Sequence, residues 1–139
     1  MTVNIIKLCV GIDSVEHLLE ARKVDPRNKD LDYNFHITRY RPKRAEEVLD
    51  GGSLYWVIKG FVQARQKIIG LEAVQTDNGI KCMIKMDKTI YHTETQPRRA
   101  FQGWRYFEET STPADLPQGS NITDIPPELR DELKGLGLI

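Results

Sequence analysis

The chain has 139 residues, about the length of one domain, and a formal net charge of zero. Its 40% hydrophobic and 29% charged residues make an ordinary globular composition. No apolar run approaches the roughly 18 residues that cross a bilayer. The opening NIIKLCVGI is short and lacks both a basic lead and a cleavage site, so a soluble, cytoplasmic protein with no membrane association is expected.

Residues 3–10, VNIIKLCV, are apolar at both parities, the pattern of a strand covered on both sides. Gly11 turns the chain. Asp13 or Ser14 then caps a helix whose apolar face is Val15, Leu18 and Leu19, and Asp13 with Glu16 has capping-box spacing. KVDPRNKDLDYN is charged and broken by Pro26, so it reads as a solvated loop. Phe35 to Tyr40 forms a second strand. Pro42 opens a short helix with Ala45, Val48 and Leu49 as its buried stripe, and Gly51 stops it. SLYWVIKG is the most apolar strand and belongs at the centre of a sheet. Leu54, Trp56 and Ile58 share one face; Tyr55, Val57 and Lys59 share the other.

Phe61 to Val74 fits a helix or a strand. A turn at Gly60 and a strand from about Ala64 is the better reading, because TDNG at 76–79 is a hairpin turn. After it, Ile80, Cys82, Ile84 and Met86 alternate with Lys81, Met83, Lys85 and Asp87, one face core and one wet. KTIYHTE forms a further short strand. QPRRAFQGWRYF is a basic loop leading into an aromatic strand with Trp104 and Tyr106 on one parity. From Glu108 the chain is acidic and Pro-containing. A last helix with Leu129, Leu133 and Leu136 is too short to stand alone. The expected fold is α+β: a curved, mostly antiparallel sheet or small β-barrel, two flanking helices, and an extended C-terminal tail. Residues 1–107 are expected to form the single domain and 108–139 the acidic tail.

The charge is unevenly distributed. Residues 35–67 carry 7 basic and 3 acidic groups, residues 81–106 carry 6 and 2, and residues 107–139 carry 2 and 7. Two basic segments followed by an acidic tail suit a surface for a polyanion, or a tail folding back on the basic face. The three histidines, His17, His36 and His92, are far apart and lack ligand spacing, and the two cysteines, Cys9 and Cys82, read as buried reduced thiols. No phosphate-binding glycine loop and no nucleophile elbow is present, so no metal or cofactor is expected. Charged residues usually coat a solvated face. As a set, however, Arg39, Lys43, Arg44, Lys59, Arg65, Arg98, Arg99, Trp104 and Arg105 mix cations with an aromatic, as sequence-tolerant nucleic-acid surfaces do.

HITRYRPKRAEEVLDGGSLYWVIKGFVQARQKI, with NIIKLCVGIDSVEHL before it and PRRAFQGWRYF after it, resembles the bacterial domain of unknown function 1489 family over about residues 4–107, with the tail outside. That family carries no established activity, so the resemblance implies no catalytic residue. The element order is also similar to PUA and ASCH-like small barrels, which commonly bind RNA or modified bases. Three functions are therefore expected to compete. The first is an RNA-binding module whose basic segments converge on one face. The second is an enzyme on a small nucleotide or modified base, with Tyr55, Lys59, Arg65 and Gln66 around a pocket. The third is a protein-binding role for residues 108–139.

Overall fold

A computed structural model of the protein describes residues 2–24 and 31–116. Apolar residues at both parities place β1 (Val3–Leu8) and β3 (Ser53–Ile58) side by side at the centre of a sheet, in parallel, with Ile5 opposite Leu54 and Leu8 opposite Val57. Between them in sequence come α1 (Val15–Val24), β2 (Asn34–Thr38) and α2 (Ala45–Leu49). Ser14 caps α1, its Oγ accepting from the His17 amide at 3.0 Å. The cap is thus the second of the two expected residues.

Lys59 and Gly60 form the tight turn after β3, at φ +51° and +83°. The ambiguous segment is then one sixteen-residue strand, β4 (Phe61–Thr76), which begins three residues earlier than the expected start. Its first half pairs with β3. Past a bulge between Ile68 and Gly70, its second half pairs with β5 (Gly79–Met86) across the expected hairpin turn. β6 (Tyr91–Pro97) returns along the first half of β4, and β7 (Trp104–Glu108) runs antiparallel to β1.

The spatial order is β2-β5-β4-β3-β1-β7, with β6 also on β4. The fold is mostly β, with a mixed sheet and two helices. The ends of the sheet, β2 and β7, do not pair, so the sheet is open and the expected small barrel is not formed. A parallel centre requires a crossover, and α1 and α2 supply it by packing on one side.

That side is here called the helix face. Val15 and Leu18 of α1 and Ala45 and Val48 of α2 pack there on Val3, Ile5, Leu54, Trp56 and Ile58. Leu49, expected in the stripe of α2, is exposed, because a five-residue helix turns only one side to the sheet. Ile80, at the hairpin tip, is likewise exposed while Cys82, Ile84 and Met86 are buried. The second face carries a smaller cluster of Ile6, Tyr55, Val57, Val62 and Phe107.

The tail begins inside the fold. Residues 109–116 turn back on β6, with the Glu94 amide donating to the Ala114 carbonyl and the Leu116 amide to the His92 carbonyl. The expected last helix, at Leu129, Leu133 and Leu136, lies outside the described residues, as does the loop around Pro26.

Candidate nucleic-acid interface

Alternation along β7 divides the candidate cations between the two faces of the sheet. Tyr106 lies opposite Ile5 and faces the helices; Arg105 and Phe107 lie opposite Ile6 and Asn4 and face the other way. Arg44 belongs to the Tyr106 side. Its guanidinium lies 5.2 Å from that ring's centroid, and its amide donates to the Tyr106 hydroxyl at 3.0 Å. It is also engaged by two carboxylates, Glu47 at 2.6 Å and Glu108 at 2.9 Å. Hydrogen bonding to Glu47, then to Glu108, holds the guanidinium in its charged form.

Arg65 is satisfied in a similar way on the second face. Asp115 accepts from its Nε and Nη2 at 2.8 and 2.6 Å, Ser53 Oγ accepts from Nη1 at 2.9 Å, and the guanidinium lies over the Tyr91 ring at 4.4 Å. The acidic tail therefore does fold back on a basic residue, through Asp115. Lys59 sits exposed at the turn, 3.4 Å from Asp13.

Arg98, Arg99 and Arg105 differ. None makes an ion pair with a described carboxylate. The Arg98 guanidinium lies over the Phe107 ring at 5.5 Å and that of Arg105 over the Phe101 ring at 5.4 Å. The Arg98 amide donates to the Gly60 carbonyl at 2.8 Å, which ties this loop to the Lys59–Gly60 turn. Phe61, next in the chain, is 41% exposed. The second face thus carries Arg98, Arg105 and Phe101, with the exposed Arg99 next to Arg98 in the chain and the Lys59–Gly60 turn and Phe61 tied to its border.

The two basic segments do not converge as expected. Arg44 faces the helices, and Arg39 and Lys43 are exposed on the loop leading into α2, Arg39 with its own guanidinium over Tyr40 at 5.5 Å. Trp104 also leaves the arginines: it is half-buried on the helix face, 5.0 Å from Tyr106 in an edge-on contact. Phe101 and Phe61 were not among the sequence candidates. The period-two pattern of WRYF held the signal for the split, since it sets Arg105 and Phe107 against Trp104 and Tyr106.

The chain also matches one established family. The sequence profile described as "Protein of unknown function (DUF1489)" covers residues 5–139. The protein belongs to the DUF1489 family. Because the match runs to residue 139, the acidic tail lies inside it, contrary to the resemblance read over residues 4–107. No curated protein and no solved structure matches the chain.

The residues expected around an enzyme pocket in this DUF1489 protein are dispersed. Tyr55 and Arg65 line a polar cleft on the second face with Ser53, Glu109 and Thr112. Burial raises the Tyr55 phenol above its ordinary value. Lys59 stands outside that cleft. Gln66 is fully buried on the helix face, where its Oε1 accepts from the Trp56 indole at 3.0 Å.

Among the described residues no group of three His, Cys, Asp or Glu is placed to hold a metal ion, and no helix is long and apolar enough to cross a membrane. Both cysteines are free thiols. Burial pushes Cys9 up to about 11 from 9.0, against the pull of Arg22, and raises Cys82 as well. At pH 8 Cys9 should therefore hold about a hundredfold less thiolate than an unperturbed thiol. Its alkylation by iodoacetamide, followed by mass spectrometry, should stay slow until about pH 10; fast labelling at pH 8 would contradict this environment.

Proposed function

We propose that this DUF1489 protein binds single-stranded nucleic acid, RNA in particular, through Arg98, Arg99 and Arg105. The observation that carries the reading is that Arg98 and Arg105 lie over aromatic rings of one face, with the exposed Arg99 next to Arg98 in the chain, and none of the three has a described carboxylate partner. Arg44 and Arg65, by contrast, have their charge answered within the chain. Guanidinium groups on aromatic faces meet phosphates, and exposed rings such as Phe61 accept bases by stacking, worth roughly 1–3 kcal/mol per base. The two free thiols suit a reducing cytoplasm.

Binding of labelled single-stranded RNA to the full chain, followed by fluorescence anisotropy across a salt series, tests the reading. Three to four phosphate contacts predict a slope of log affinity against log salt of about −2 to −3. No binding at low salt would overturn it.

A further inference from the structure

Strand register carries the second face of the sheet from Arg105 across to Arg65. Arg105 lies opposite Ile6, Ile6 opposite Tyr55, Tyr55 opposite Arg65, and Arg65 opposite Tyr91. Residues paired in this way stand side by side on one face. Arg105 and Arg65 are therefore three strand spacings apart, about 14 Å, on the same side of the sheet.

The surroundings of Arg65 are those of an anion site that the chain fills itself. The guanidinium is fixed from two directions. Its Nη1 donates to Ser53 Oγ at 2.9 Å, and the Tyr91 ring lies 4.4 Å away across its plane. The other edge, Nε with Nη2, is the fork that takes a carboxylate or phosphate bidentately, and Asp115 occupies it at 2.8 and 2.6 Å. Asp115 belongs to a short strap, residues 109–116, whose backbone is tied to β6 independently of that side chain. The Ala114 carbonyl accepts from the Glu94 amide at 2.8 Å, and the Leu116 amide donates to the His92 carbonyl at 2.9 Å. The Asp115 side chain, 39% exposed, can thus leave the fork by rotation while the strap stays in place. Beside the fork opens a polar cleft of about 340 Å³, lined by the hydroxyl-bearing Ser53, Tyr55 and Thr112. Glu109, the other carboxylate of that lining, accepts from the Asn4 side-chain amide at 3.2 Å.

We propose that Arg65 is a phosphate subsite, and that Asp115 masks it until a phosphate group displaces the carboxylate. That the phosphate belongs to RNA rests on the function proposed above; the fork itself takes a phosphate group whether free or in a chain. Displacement exchanges one bidentate contact for another, so the masked arginine adds little to binding. Removal of Asp115 releases the full contact.

Two titrations of the full chain test this. In the first, labelled single-stranded RNA is bound across a salt series. Asp115→Ala should tighten binding about three- to tenfold and steepen the salt slope by about 0.7, one further phosphate contact. Asp77→Asn, an equal change of charge at the exposed β4–β5 turn, should change neither. The gain should vanish in Arg65→Gln/Asp115→Ala. In the second, inorganic phosphate is titrated into ¹⁵N-labelled Asp115→Ala and Asp115→Asn chains, and the Arg65 Nε–H signal is followed. A saturable shift at about 10 mM or below is expected in the alanine variant, with a weaker response in the asparagine variant, which keeps a neutral acceptor at the fork. The proposal is overturned if phosphate at about 50 mM leaves the Arg65 signal of both variants unmoved. It is also overturned if the chain binds RNA but Asp115→Ala gains no more than Asp77→Asn, or if the gain survives the loss of Arg65. A phosphate shift at Arg65 with no RNA binding by any variant would uphold the subsite for a free phosphate compound and overturn the RNA reading alone.

Discussion

Replacing Gly52 with alanine should cost the fold about 3 kcal/mol or more, at the upper end of what overpacking does. A Cβ at this position would run into two backbone carbonyls, those of Val3 and Val48. Neither is a flexible side-chain end. Val3 is fixed in β1 by its neighbours. Val48 closes α2, with its carbonyl accepting from the Gly52 amide at 2.9 Å, while the Gly52 carbonyl accepts from the Ile68 amide at 3.0 Å. The methyl can enter only if α2 or β1 moves, and both are core elements. Gly51→Ala is the informative comparison. Its φ of +84° strains an L-residue, but nothing crowds the new atom, so a cost of about 1–2 kcal/mol is expected. Urea unfolding of the two variants checks the order. Equal costs would mean that the close approach of α2 to β1 is not a constraint.

The second large effect is expected at Gln66, a fully buried polar side chain. Its Oε1 accepts from the Trp56 indole at 3.0 Å. Its Nε2 donates to Asn34 Oδ1 and to the Asp87 carbonyl, both at 2.9 Å. This one amide therefore joins β3, β4, the start of β2 and the end of β5. Gln66→Leu keeps the volume but leaves a buried indole N–H and two acceptors without it, at roughly 1–3 kcal/mol for each unsatisfied group. A net loss of about 3–5 kcal/mol is expected once the gain in apolar burial is subtracted. The double variant Trp56→Phe/Gln66→Leu removes the orphaned donor together with its acceptor. It should lose clearly less than the sum of the two single losses. Additive losses would show that the network contributes nothing as a unit.

Local pattern reached most of the architecture. Alternation from Ile80 to Met86 located β5 and its buried side, TDNG located the hairpin, and apolar residues at both parities located β1 and β3 at the centre. What local pattern could not supply was which strands meet. The parallel pairing of β1 with β3 joins residues almost fifty positions apart, and no residue in either strand encodes that partner. The open sheet is a consequence of the same long-range choice. The site was legible to a similar degree. The residue types in PRRAFQGWRYF marked the candidate arginines, and the parity of WRYF already held the division of Arg105 and Phe107 from Trp104 and Tyr106. A tail folding back on basic residues was one of two readings of the charge pattern, but the pairing of Arg65 with Asp115 was not legible, because it depends on a fifty-residue return of the chain. Gln66 was misread for a related reason: its burial comes from Trp56, Asn34 and Asp87 converging on it, and its neighbours in sequence are polar.

The location of the nucleic-acid surface is the central claim, and one titration tests it most directly. Single-stranded RNA is titrated across a salt series with the unaltered chain, with Arg98→Ala/Arg99→Ala/Arg105→Ala, and with Arg39→Ala/Lys43→Ala. The account predicts that the triple variant loses most of the affinity and flattens the salt slope by about 2, one step of roughly 0.7 per lost contact. The double variant, at the other basic segment, should stay within about twofold of the unaltered chain. Loss of binding in the double variant with the triple variant intact would contradict the account and move the surface to the loop before α2.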